Sequence, residues 1–134
     1  LQAVEAHAAE RPGHYDVISC MEMLEHVPDP AAIISACAAL LKPGGTLILS
    51  TLTRTAASFA LGIVAAEYLL KLVPQGTHDW QRFIKPSELL AMADRAGLLS
   101  KGLCGMSYNP LSGQVRLTPA RVVVNYLAHL EKPL

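Results

Sequence analysis

No sign of charge predominates in this chain: eleven Lys and Arg offset eleven Asp and Glu across 134 residues. No local Lys/Arg run compensates for that balance, so no nucleic acid is expected among the partners. Charge is scarce altogether. Charged residues make up 16% and apolar residues 51%, a greasy composition for a domain of this size, so some apolar surface needs a destination. Cys20, Cys37 and Cys104 are odd in number and too scattered for a zinc or CxxC pattern, which points to a reducing, cytoplasmic setting. The first residues include Glu5, Glu10 and Arg11 and lack an apolar h-region, so no signal peptide is expected. GxSxG and GxxxxGKS patterns are both missing, which argues against a serine hydrolase or a P-loop enzyme.

What is present reads as one α/β domain, and a chain this long can bury roughly two thirds of its unfolded surface. Ala3 to Glu10 favours a helix, ended by Pro12-Gly13. "YDVISC", Tyr15 to Cys20, reads as a short strand covered on both faces and central in its sheet. Asp29 as N-cap and Pro30 at the first helical position open a helix whose inward stripe is Ile33, Ile34, Cys37, Leu40 and Leu41; Lys42-Pro43-Gly44-Gly45 stops it. "TLILSTL", Thr46 to Leu52, is the next strand, which completes a βαβ unit with parallel strands. Pro86 opens a further helix with Leu89, Leu90 and Ala93 inward and Gly97 as its stop. Leu98 to Tyr108 and Val122 to Leu130 are expected as a late antiparallel strand pair, joined through a turn-rich Asn109–Gly113.

Between these lies Ala56 to Val73, in which only Glu67 and Lys71 are charged. It reads as a weakly amphipathic helix, either a buried core helix or an interfacial helix or lid for a greasy substrate. Glu67 and the absence of flanking basic bias argue against a membrane span.

In open parallel α/β sheets, ligands bind outside the carboxyl ends of the strands. Met21 to His26 and Thr53-Arg54 both fall on that edge. If Glu22 to His26 form a helical turn, Glu22, Glu25 and His26 stand at i, i+3 and i+4 and share a face. Two carboxylates and an imidazole could then hold a divalent ion: Mg²⁺ suits oxygen ligands, while the imidazole also admits Mn²⁺, Fe²⁺ or Zn²⁺. The competing reading is two solvent-facing acids at a helix start with His26 capping a turn. Asp16 is given no chemistry, and His78, Asp79, Trp80 and Arg82 suit a surface loop as well as a substrate-facing one. His7, His14 and His129 suggest no ligand set.

Taken together, "YDVISCMEMLEHVPDP", "LLKPGGTLILSTLTR", "AEYLLKLVPQGTHDW", "FIKPSELL", "YNP" and "VNYLAH" resemble the ubiquinone-biosynthesis O-methyltransferase family of the class I S-adenosylmethionine-dependent methyltransferases. "YDVI" with "LLKPGG" marks only the superfamily; "CMEMLEHVPDP" with "GTHDW" and "YNP" is far more specific. The resemblance covers essentially the whole chain and implies a Rossmann-like fold, seen here as its C-terminal half (residues 1–134). It implies methylation of catechol-type hydroxyls on polyprenylated precursors. By position, Met21 matches the family's residue at the cofactor S-adenosylmethionine, and Glu22, Glu25 and His26 match its divalent-metal ligands, with Mg²⁺ expected. His26 alternatively serves as general base, since an imidazole can take a proton near neutral pH. A membrane-associating insertion maps onto roughly Ala57 to Asp79, so residues 56–79 are expected to meet membrane-surface lipids. The location expected is cytoplasmic, peripheral to the inner face of the membrane, with a quinone-biosynthesis complex as a further partner.

The family's strand with a glycine-rich cofactor turn, and the acidic residue after it, match no stretch of these residues; Gly44-Gly45 follows a helix and cannot substitute. The chain alone is therefore expected to bind S-adenosylmethionine poorly and to expose a strand edge prone to aggregation. Two other readings stay open: a non-catalytic membrane or lipid-binding module, motivated by Ala56 to Val73, and a methyltransferase for another small acceptor.

Overall fold

The computed structural model describes residues 2–60, 79–109, 112–119 and 121–134. Helix α1 (Val4–Glu10) precedes strand β1 (Tyr15–Met21), a 3₁₀ turn over Leu24–His26 and helix α2 (Pro30–Leu40). Strand β2 (Leu41–Leu52) and the short helical turn α3 (Ala56–Ser58) follow, then a second 3₁₀ turn over Trp80–Arg82, helix α4 (Pro86–Arg95) and strands β3 (Leu99–Asn109), β4 (Gln114–Pro119) and β5 (Asn125–Glu131).

The five strands form one mixed sheet in the order β1-β2-β5-β3-β4. β1 pairs parallel to β2, with Cys20 opposite Leu49, so the expected βαβ unit is present. β5 inserts between β2 and β3 and runs antiparallel to both, which realises the late antiparallel pair. Asp29 caps α2 as expected, its side chain accepting from the Ala32 N–H at 3.1 Å. Ile33, Ile34, Cys37 and Leu40 are buried. The helix ends sooner than the glycines suggest, because Leu41 already pairs with Tyr15 across a bulge and joins β2. Lys132, from beyond β5, closes the helix end by donating from Nζ to the carbonyls of Ala38 and Leu41, each at 2.8 Å; a cation there complements the helix dipole.

Alternation along the strands divides the sheet into two unlike faces. Cys20, Leu47, Leu49, Ala128, Leu130 and Tyr126 turn to one side and join Ile33, Ile34 and Cys37 of α2 with Leu89 and Ala93 of α4 in a single core. α1 adds a smaller cluster of Ala8, Ala36 and Leu40. On the opposite face Val17 and Met21 remain exposed, at 63% and 49%. β1 is thus neither central nor covered on both faces as its apolar run suggests. It forms one margin of the sheet, and among the described residues the helices α1, α2 and α4 all contribute to the cores on its other face.

Of the segment expected as a helix, Ala56 to Val73, Ala56–Ser58 form α3, where Thr55 and Ser58 make a reciprocal capping box; residues 61–78, and so most of that expected helix and of the 56–79 segment, lie outside the described residues. Among the described residues no helix is long and apolar enough to cross a membrane.

Candidate active site

The sequence "SCMEMLEHVP" leaves β1 with one abrupt change of direction. Glu22 has φ +48°, the left-handed region that a residue with a Cβ enters at a cost of roughly 1–2 kcal/mol. Its N–H is held by both the carbonyl and the hydroxyl of Ser50 on β2, each at 3.0 Å. That turn sends Leu24 into the core, where it is 1% exposed, and carries Glu25 in beside it at 3%. The Glu25 carboxylate accepts a hydrogen bond from the Thr51 hydroxyl at 2.6 Å. Its other oxygen, Oε1, is buried and meets no hydrogen-bond donor among the described residues.

Glu22 and His26 end elsewhere. The Glu22 Oε2 accepts from the side-chain amide of Asn125, the first residue of β5, at 3.2 Å. His26 is exposed at the end of the 3₁₀ turn. The shared helical face expected for Glu22, Glu25 and His26 does not form, because helical backbone begins only at Leu24 and Glu22 precedes it in a left-handed conformation. Among the described residues no three His, Cys, Asp or Glu side chains gather as a set able to hold a metal ion. The expected Mg²⁺ ligand set therefore does not fit this arrangement. Met21, the last residue of β1, is half exposed at the carboxyl edge of the parallel pair.

An open cleft of about 520 Å³ adjoins this turn. Leu24, Val27, Pro28, Phe83, Ile84 and Met92 give it apolar walls. Arg54, just past β2, spans its floor by pairing with Glu88 of α4 and donating to the Gln81 carbonyl at 2.9 Å. Gln81 and Arg82 line the cleft beside Arg54 and Glu88, so one side is polar and the other apolar, which suits a ligand with both characters. Ile84 is fixed by the Tyr126 hydroxyl, which donates to its carbonyl at 2.9 Å; burial first, then Glu88 and Glu25, push that phenol far above its usual range. Burial likewise raises the Cys37 thiol to about 11 and moves Cys20 upward.

Of the loop residues singled out from sequence, Asp79 caps the second 3₁₀ turn and pairs with Arg82, and Trp80 braces the segment after β2 by donating to the Thr55 carbonyl at 3.1 Å; His78 lies outside the described residues. Thr51, Glu88 and Asn125 were not singled out by sequence reasoning. The one available signal was a Ser-Thr pair inside an otherwise apolar strand end, since a hydroxyl buried there needs a partner.

Residues 2–99 match the family model for a methyltransferase domain. The ubiquinone biosynthesis O-methyltransferase of Xanthomonas euvesicatoria pv. vesicatoria (strain 85-10) is 57% identical over 133 residues, covering 99% of this chain and 55% of that protein. The chain thus spans about half the length of that relative. A solved SAM-dependent methyltransferase from Thermotoga maritima, described as a possible histamine N-methyltransferase, superposes with a TM-score of 0.68 at 14% identity, over 91% of this chain and 58% of that one. Magnesium protoporphyrin IX methyltransferase from Synechocystis PCC 6803, solved with bound SAH, gives 0.60 at 20% identity, over 98% and 49%. At such identities these two likenesses establish a shared fold.

Proposed function

Because the chain belongs to the methyltransferase-domain family, we propose that the intact protein transfers a methyl group from S-adenosylmethionine to a phenolic or catechol hydroxyl of a polyprenylated ubiquinone precursor. The observation that carries this reading is the 57% identity, along 99% of the chain, to a relative named for that reaction. The geometry supports it in kind: a cleft with apolar and polar sides at the carboxyl edge of a parallel strand pair is where an α/β fold accepts ligands.

Bound S-adenosylmethionine supplies an electrophilic methyl group on its sulfonium. Met21, half exposed at the strand end, offers the cofactor an apolar contact on the acceptor side. The walls formed by Leu24, Val27, Phe83, Ile84 and Met92 hold an aromatic acceptor and limit its contact with water. His26, exposed on the same 3₁₀ turn as Leu24, takes the hydroxyl proton as general base. Since the described Glu22, Glu25 and His26 do not form a metal-holding set, no step here passes through a metal ion.

The reading extends to the membrane. A polyprenylated acceptor resides in lipid, and the apolar residues 56–79 would bring the protein to the inner face of the membrane from the cytoplasm. Phe59, 48% exposed and edge-on to Trp80, begins that surface. Incubating the intact protein with a demethylated, prenylated quinol and labelled methyl donor tests the proposal, with and without a chelator. Label in the quinol ether is expected; labelled product only from a non-phenolic acceptor would overturn it.

A further inference from the structure

Glu25 and Glu22 are chemically alike and both bury their Oε1, but Glu25 is the more deeply enclosed and the two differ in what holds Oε2. Glu25 is 3% exposed, its Oε2 is taken by the Thr51 hydroxyl at 2.6 Å, and its Oε1 is sealed from solvent. A metal ligand must present a lone pair to an ion with room for further ligands. This carboxylate faces inward, and it adds to the upward shift that burial first of all gives Cys20 and that burial and Glu88 give Tyr126. Thr51 itself is fully buried in β2 and paired in register with Tyr126. The bond therefore ties the centre of the turn to the carboxyl end of β2.

We infer that Glu25 is a positioning residue: it clamps the Met21–His26 turn onto the end of β2 through Thr51, and it does not ligate a metal ion. The rest of the turn depends on that clamp. With Leu24 in the core and Glu25 tied to β2, the intervening geometry presents Met21 and His26 outward, and Leu24 and Val27 become part of the cleft wall. Loss of the clamp leaves a buried carboxylate or hydroxyl without its partner and frees the turn to shift.

The intact protein distinguishes this from ligation. Mn²⁺ alone, titrated and followed by electron paramagnetic resonance, should bind the wild type and Glu25→Gln within about twofold of each other, or bind neither, because the Gln carbonyl still accepts from Thr51. Removal of a true ligand would weaken binding by at least about tenfold, and that result with an unchanged melting temperature would overturn the inference. Glu25→Ala and Thr51→Val should each lower the melting temperature by roughly 4 °C or more, and the double variant should fall no further than the worse single one. Additive losses would also overturn it. If Glu25→Ala fails to fold, Thr51→Val against Glu25→Gln carries the comparison. A kinetic arm rests on the methyltransferase reading: Thr51→Val should raise the KM for the methyl donor about threefold with little change in kcat, while Glu25→Gln keeps the wild-type KM. The metal and melting measurements stand even where no methyl transfer is detected.

Discussion

Glu22, Glu25 and His26 sit within five residues, and their side chains find different partners or surroundings: Asn125 on β5 for Glu22, Thr51 on the neighbouring β2 for Glu25, the exposed rim for His26. Their chemistry is legible in sequence, whereas their arrangement is not. The partners lie 103 and 26 residues away, and the left-handed Glu22 breaks the helical spacing that would have aligned them. At this scale His26→Gln should lower kcat for methyl transfer by roughly a hundredfold, the usual worth of a general base, with donor KM little changed. Labelled-product assays under saturating donor check it, and a wild-type kcat would remove His26 from the mechanism. The buried thiols give a pH prediction. Cys37 is held neutral in the fold, raised from its ordinary 9.0 to about 11 mainly by burial, with Cys20 and Glu5 adding to the shift. A folded-state value above the unfolded one means the stabilisation is intact below pH 9 and lost as pH rises through 11. Melting temperatures by circular dichroism should therefore fall progressively between those values, with Cys20 and Tyr126 acting in the same direction.

Elements with strong local signals are where they were expected. Asp29-Pro30 starts α2, Gly97 at φ +75° ends α4, and "TLILSTL" pairs parallel to "VISCM". Asp29→Ala removes the cap accepting from Ala32 and should cost about 1 kcal/mol in urea unfolding. Gly45 serves the strand and not a ligand: a Cβ there would lie 2.8 Å from the Lys42 carbonyl and 3.2 Å from the Asp16 carbonyl on β1. Gly45→Ala should thus destabilise by roughly 1–3 kcal/mol by forcing β1 from β2, measured in the same unfolding series. β4 carries little sequence signal because five of its six residues are exposed, so no buried alternation marks it; Val115 and Leu117 are 60% and 54% exposed. Its hairpin is set by Gly113, at φ +68°, whose N–H donates to the Asn109 carbonyl at 2.9 Å.

For the molecule as a whole, the lopsided sheet matters most. α1, α2 and α4 serve one set of strand faces, while Val17 and Met21 of the marginal strand stand in the open on the other. An exposed strand margin with an apolar face invites pairing with other chains. Val17→Lys should accordingly increase the monomer fraction when this 134-residue chain is expressed alone, read by light scattering, and an unchanged fraction would place the association elsewhere. The proposed membrane attachment also belongs to this scale. The intact protein should sediment with anionic liposomes, and deletion of residues 56–79 should leave it in the supernatant. Retained sedimentation after deletion would assign attachment to another surface.

Composition and local spacing by themselves determined the class of fold, the βαβ unit and the helix starts, because capping, proline placement and apolar periodicity act over a few residues. They also brought Met21 to His26 to the carboxyl edge of a parallel strand, since that follows from chain order. Only the tertiary structure decided that β5 enters between β2 and β3, that Arg54 meets Glu88 across the cleft, and that Glu25 turns inward to Thr51 while His26 stays outside. Each of these joins residues distant in the chain, and the burial that makes an inward carboxylate tolerable exists only once the sheet and its helices have closed around it.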